Sequence, residues 1–304
     1  MSLTRRHLLH SLAIGGLACA AGLPARVVLA GEALTRIVAL NWVAAETLLT
    51  LGVAPLAISD DRYYRVRMPT MALPDSVRDV GPYWEPNLEL IQQLQPQLIL
   101  SDPMTPTLQR RLNGIAPTEK VAIYPAPEGA WKATTDFMSD LARRLGVEQV
   151  AADYIGAGEQ RLAELRAKLA RRPQPPVCVA VLNQDGRHAA VYGKNSMVQD
   201  VLDRLGLVNA WQGPVGPVGL AMVSIERLAE RPDAHLVYVD IPTTSARLQS
   251  LRQPNDLWAN LPAVRQGHTL TLQRFYPYAG AASVLDLAER IAAYLDSATE
   301  AAHV

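Results

Sequence analysis

Residues 147–176 read VEQVAADYIGAGEQRLAELRAKLARRPQPP. From Val147 to Arg172 the stretch keeps helical periodicity without a proline, and Ala, Leu, Glu and Arg dominate after Gly158. At about 1.5 Å per residue such a helix spans roughly 35–40 Å, the width of a small domain. It stops at Arg172-Pro173-Gln174-Pro175-Pro176, because proline lacks the amide a helix needs and disfavours helical geometry before it. On both sides of this segment, short apolar runs alternate with helical patterns. The chain therefore reads as α/β, with two α/β lobes joined by a single long α-helix: an N-terminal lobe over 31–146, the connecting helix over 147–172 and a C-terminal lobe over 173–304. A helix in place of a Gly/Ser tether predicts small closure of the lobes.

In the first lobe the pattern predicts strands at 36–40, 55–58, 97–100 and 120–124, and helices at 43–51, 87–95, 107–113 and 131–145. In the second it predicts strands at 177–182, 189–192, 235–239 and 269–273. The helices there are expected at 196–205, 224–230, 256–260 and 281–297.

The first thirty residues differ from the rest. Arg5-Arg6 precedes an apolar run rich in Gly and Ala, and small or β-branched residues at Val28-Leu29-Ala30 suit a cleavage site, the pattern of a twin-arginine export signal. Pro24 and Arg26 interrupt the run well short of the ~20 apolar residues of a membrane span. The protein is thus expected in the periplasm. Gly16-Leu17-Ala18-Cys19 approximates a lipobox, which leaves a lipid anchor at Cys19 as an alternative. The other cysteine, Cys178, sits in an apolar run and reads as an inert core thiol.

With 29 basic and 29 acidic residues, the chain lacks the positive excess of a nucleic-acid binder. It carries no G-x-S-x-G elbow, phosphate loop, C-x-x-C or H-E-x-x-H. His188, His235, His268 and His303 are scattered rather than set at metal-ligand spacing. Nothing points to an enzyme, a resident metal or a cofactor.

The sequence does offer aromatic and Arg-rich segments after its strands. Trp42 follows the first; Tyr63, Tyr64 and Arg67 follow the second; Tyr83 and Trp84 precede a helix; Tyr276 and Tyr278 follow the last. Ligands of α/β sheets sit outside the carboxyl ends of the strands, so these segments are expected to line one cleft between the lobes. Tyr63-Tyr64 also raises the alternative of direct iron or haem ligation by phenolate.

Several blocks carry a family resemblance: Ile37-Val38-Ala39-Leu40-x-Trp42, Glu85-Pro86-Asn87-Leu88-Glu89-Leu90, Asn209-Ala210-Trp211-Gln212-Gly213 and Val223-Ser224-Ile225-Glu226-Arg227-Leu228-Ala229. They resemble the periplasmic ferric hydroxamate-binding proteins, of the class III or helical-backbone type of substrate-binding protein. The resemblance implies a monomeric carrier that takes a ferric siderophore to an inner-membrane ABC permease, with no partner nucleic acid. It also implies site residues. Trp42 and Tyr278 match aromatics of the family's cleft. Tyr83 stands where the ferrichrome binder has a hydroxamate-contacting arginine, and Thr105 where it has a contacting tyrosine. Arg67, Val218 and Tyr276 replace tryptophans. The exchange of indoles for Arg67 and tyrosines predicts a ligand more anionic or more compact than ferrichrome. Glu89 and Glu226 occupy the positions at which the family docks to its permease. Alternatives on the same scaffold are another iron chelate, haem or cobalamin. From other classes, an exported enzyme acting on siderophores and an iron-sensing interaction protein stay open.

Overall fold

The computed structural model describes residues 34–183, 185–239 and 257–301. Residues 1–30, read above as an export signal, and with them Cys19, lie outside the described residues.

Five strands make the first sheet: β1 (Ile37–Ala39), β2 (Ala57–Ile58), β3 (Arg78–Asp79), β4 (Leu98–Ser101) and β5 (Thr118–Lys120). Their order is β3-β2-β1-β4-β5 and every pair is parallel. Parallel neighbours need crossovers, and these are built on α1 (Trp42–Thr50), α2 (Asp61–Arg67), α3 (Leu88–Leu94) and α4 (Pro106–Asn113). Local chemistry starts the helices where the sequence suggests. Asn41 and Asn87 accept from the backbone amides of Ala44 and Leu90, and Thr105 does so ahead of Pro106 at the first helical position.

The second sheet contains β6 (Val177–Leu182), β7 (His188–Tyr192), β8 (Leu220–Ser224), β9 (His235–Val239) and β10 (Thr269–Leu272), in the order β10-β9-β6-β7-β8. Here β10, β9 and β6 are parallel, whereas β7 is antiparallel to both β6 and β8. Cys178 is buried in β6, and burial pushes its thiol up to about 12.

Between the sheets lie α5 (Ala130–Leu145) and α6 (Glu148–Leu169), with α7 (Met197–Leu205), α8 (Pro262–Arg265) and α9 (Ala281–Ala301) following in the second lobe. The long helix expected at 147–172 is α6, of 22 residues. It is pinned to α9 by Arg161–Glu289 at 2.8 Å and Lys168–Asp296 at 2.7 Å, so the two helices run in the same direction. Gly158 explains a glycine in mid-helix. A Cβ there would lie 2.2 Å from the Trp131 indole, so the absent side chain lets α6 rest against α5. A single hydrophobic cluster runs from Ile37 and Leu100 through Trp131, Leu162 and Leu165 to Val179, Val237 and Ile291. The core is thus continuous from one sheet to the other, and the described residues form one compact unit.

Five elements differ from expectation. Residues 61–67, outside the helices expected from the sequence, are helical: Asp61 lies in the first turn and pairs with Arg65 at 3.5 Å, while Arg65 and Arg67 complement the carboxyl end. The fifth strand is 118–120 rather than 120–124, because register with Ile99–Ser101 is exhausted at Lys120. Strand β8 was not anticipated within its Gly/Pro-rich surroundings, nor was the two-residue β3. Residues 257–260 form turns rather than a helix, and the helical turn follows at Pro262, a residue suited to a helix start.

Candidate ligand cleft

The carboxyl ends of the first sheet open onto a cavity of about 590 Å³, a size suited to a small-molecule ligand. Trp42 reaches it from the end of β1, Ser59 and Asp60 from β2, Asp102 and Pro103 from β4, and Val121 to Tyr124 from β5. From β1 the chain builds outward to β2 and β3 on one side, then crosses to β4 and β5 on the other. The β1/β4 boundary is therefore a topological switch point, where departing loops part and leave a crevice. The second lobe closes the opposite wall with Tyr276 and Tyr278, after β10, and Val218, before β8.

Hydrogen bonds fix these groups. Asn41 caps α1 through its carbonyl oxygen and donates its amide to Asp102 Oδ1 at 2.7 Å. The Trp42 indole N–H donates to the Ser59 carbonyl at 2.8 Å, and the Ser59 hydroxyl donates to the Leu40 carbonyl at 2.7 Å. Helix α2 sends Tyr63 and Arg67 to the cavity but turns Tyr64 into the core: Tyr63 is 62% exposed and Tyr64 1%. The two adjacent phenols thus face different surroundings and do not form a paired ligand set.

Aromatic rings run across the wall. Trp42 lies 4.8 Å from Tyr276 between centroids, Tyr276 lies 5.9 Å from Tyr278, and Tyr278 lies 5.6 Å from Tyr124. At the rim, Tyr83 and Trp84 meet edge to face at 5.1 Å with Trp84 largely exposed. These contacts exceed simple burial in value, each by about 0.5–1.5 kcal/mol.

Charge in the cleft is mixed. Arg67 Nε donates to the Phe275 carbonyl at 3.0 Å. Its terminal nitrogens have no protein hydrogen-bond partner among the described residues, so they are available to acceptor atoms on a ligand. Burial draws the Arg67 pKa down, but a guanidinium keeps its charge at physiological pH. Asp102 is pushed up by burial, against the hydrogen bond from Asn41. Asp60, whose backbone is left-handed at φ 49°, is pushed up by burial and then by the charge of Asp79, with the Tyr83 amide opposing both. Burial, and after it the Asp102 charge, raises the Tyr276 phenol, which stays protonated and can donate.

Three first-lobe side chains also hold the backbone that carries Tyr276 and Tyr278. Besides the Arg67 bond to Phe275, Tyr124 donates its hydroxyl to the Ala279 carbonyl at 2.7 Å. The carboxyl of Glu46 accepts from the Gly280 amide and from the hydroxyls of Ser283 and Thr70.

The structure brings Trp42, Tyr63, Arg67, Tyr83, Trp84, Val218, Tyr276 and Tyr278 to the one cavity. Thr105 is not among them. Its hydroxyl caps α4 by accepting from Leu108, and the residue lines an exposed groove with Trp84, Glu89 and Arg111. Glu89 and Glu226 are exposed, each in the first turn of a short helix. Asp102 and Tyr124 were missed in the sequence, although both follow strands of the parallel sheet; that position was the available signal.

A parallel sheet with a ligand-sized crevice at its switch point, faced by a second α/β lobe, defines a two-lobed binding protein. The chain belongs to the periplasmic binding protein family (Peripla_BP_2), whose profile matches residues 37–274. It is 32% identical over 232 residues to the iron(3+)-hydroxamate-binding protein FhuD of Escherichia coli K12, covering 76% of this chain and 77% of the relative. Among solved structures, Fe3+-Desferal-bound FhuD from Vibrio cholerae superposes with a TM-score of 0.78 at 28% identity, over 86% of this chain and 98% of that one. The triscatecholate siderophore-binding protein FeuA of Bacillus subtilis shares the fold, with a TM-score of 0.67 at 20% identity over 86% and 93% of the two chains.

Proposed function

We propose that the protein is the substrate-binding component of an ABC importer, capturing an Fe(III)-siderophore of hydroxamate type and presenting it to an inner-membrane permease. The carrying observation is the switch-point cavity, where the aromatic wall of Trp42, Tyr276 and Tyr278 adjoins Arg67, whose terminal nitrogens have no protein hydrogen-bond partner among the described residues. A ferric tris-hydroxamate presents hydrocarbon linkers and a cluster of metal-bound oxygens. Aromatic faces suit the first, and guanidinium and phenol donors suit the second. Iron enters as cargo within its chelator, so the protein supplies contacts rather than metal ligands, and its task is binding without turnover. The 32% identity to a hydroxamate-binding relative supports the same reading.

The remaining parts belong to this proposal. Residues 1–30 direct twin-arginine export to the periplasm. The lobes 31–146 and 173–304 act about the helix 147–172, and the protein works as a monomer. Glu89 and Glu226 meet basic residues of the permease, one from each lobe.

Titration of intrinsic tryptophan fluorescence with ferric hydroxamates, catecholates and citrate, followed by native mass spectrometry, tests the function. A one-to-one complex with a ferric hydroxamate, from which the siderophore is recovered intact, is expected. Failure to bind any hydroxamate, or chemical alteration of the siderophore, would overturn it.

A further inference from the structure

Among the described residues, the cavity wall carries one guanidinium, Arg67, and two carboxylates, Asp60 and Asp102. Arg67 and Asp102 are not paired with each other: one donates to Phe275 and the other accepts from Asn41. Each keeps atoms free for something else. Asn41 engages Asp102 Oδ1, whereas Oδ2 has no protein hydrogen-bond partner among the described residues. This half-used carboxylate sits at the β1/β4 switch point, half-buried, in a wall whose other charged groups are Asp60 and Arg67. Its free oxygen faces the cavity, and burial already draws its affinity for a proton upward. The group is thus poised to accept a strong hydrogen bond from a cation.

The charge of the cargo follows from its chemistry. Three hydroxamates neutralise Fe(III), giving a complex with no net charge at the metal. Three catecholates leave a net charge of 3−, which Asp60 and Asp102 would repel in a partly dehydrated cleft. Arg67 and the tyrosines, read alone, favour an anionic ligand; with Asp102 in the wall the balance reverses.

Resting on the hydroxamate reading above, we propose that the cleft prefers a ferric hydroxamate bearing a protonated amine, and that Asp102 is the specificity-determining residue that accepts from that ammonium while Arg67 serves the hydroxamate oxygens. The two poles orient the cargo, since reversing it would place the ammonium against the guanidinium.

The test uses the ferric complex of a linear tris-hydroxamate with a terminal primary amine, and the same complex with the amine acetylated. Their affinities are measured by tryptophan fluorescence on the wild-type protein and on D102N. At least tenfold tighter binding of the amine form is expected for the wild type, with the ratio reduced to threefold or less in D102N. Equal wild-type affinities overturn the proposal without any variant, so a D102N protein that fails to fold does not protect it. A ratio that persists in a folded D102N overturns the role of Asp102. Tight, equal binding of both complexes would leave the hydroxamate function standing. Binding of neither, or tighter binding of a ferric tris-catecholate, overturns that function and this inference together.

Discussion

Ser283, at the start of α9, donates its hydroxyl to the carboxyl of Glu46 on α1 at 2.5 Å, in a position where Glu46 has no solvent exposure. With Thr70 and the Gly280 amide also donating, Glu46 joins the helix that begins at Trp42 to the segment that carries Tyr276 and Tyr278. Truncation would leave these donors buried and unpaired. Glu46→Ala is expected to cost about 3 kcal/mol or more, and Glu46→Gln, which preserves shape and one acceptor, about 1–2 kcal/mol. Urea unfolding measures both.

The same carboxyl gives a pH signature. Burial raises its pKa above the ordinary 4.5, so the folded state retains a proton that the unfolded state has released. The resulting stability is fully present below about pH 4.5 and is lost as pH rises through the native pKa. Wild type should therefore show its largest advantage over Glu46→Gln at acidic pH, an advantage that shrinks toward neutrality. A gap that widens with pH would contradict this assignment.

Gly158 should resist substitution. A methyl group placed 2.2 Å from the Trp131 ring forces α6 away from α5. Gly158→Ala is expected to destabilise by about 1–3 kcal/mol despite its better helix propensity. Thermal melts of Gly158→Ala, with and without Trp131→Leu, check it; the smaller residue should recover part of the loss.

In the cleft, Tyr276→Ala removes the ring packed against Trp42 and should weaken siderophore binding roughly 10–100-fold. Tyr83 is 38% exposed at the rim, so Tyr83→Ala is expected to change folding stability by less than about 0.5 kcal/mol. Its affinity should nonetheless fall several-fold. Fluorescence titration and a thermal melt of each variant separate binding from folding.

Docking can be separated from capture. Glu89→Arg combined with Glu226→Arg should leave ligand affinity unchanged, since neither residue lines the cavity. Uptake of radioactive iron by cells should drop at least tenfold, through charge reversal at the permease. Unimpaired uptake would remove both residues from the interface.

Much of this was legible in the chain itself. Apolar runs such as Val177–Leu182 and the proline-bounded segment at 147–172 carry strong periodic signals, and the structure places β6 and α6 there. Trp42 and Tyr276 could be assigned to a cleft because they follow strands. Asp102 could not be found by residue type, because a lone aspartate before a proline looks like any turn. Tyr124 was hidden by a strand drawn too far toward the carboxyl end: β5 stops at Lys120, and residues 121–124 are the cavity wall. Thr105 misled for the opposite reason, since alignment position says nothing of the hydroxyl, which the α4 amide occupies.

The anchoring of residues 275–280 by Glu46, Arg67 and Tyr124 bears on how such proteins can be recombined. A chimera cut within α6 would inherit that segment from one parent and its three anchors from the other. Exchange of ligand preference by grafting should then succeed only when segment and anchors travel together, making them, and not the lobe, the natural unit of transfer.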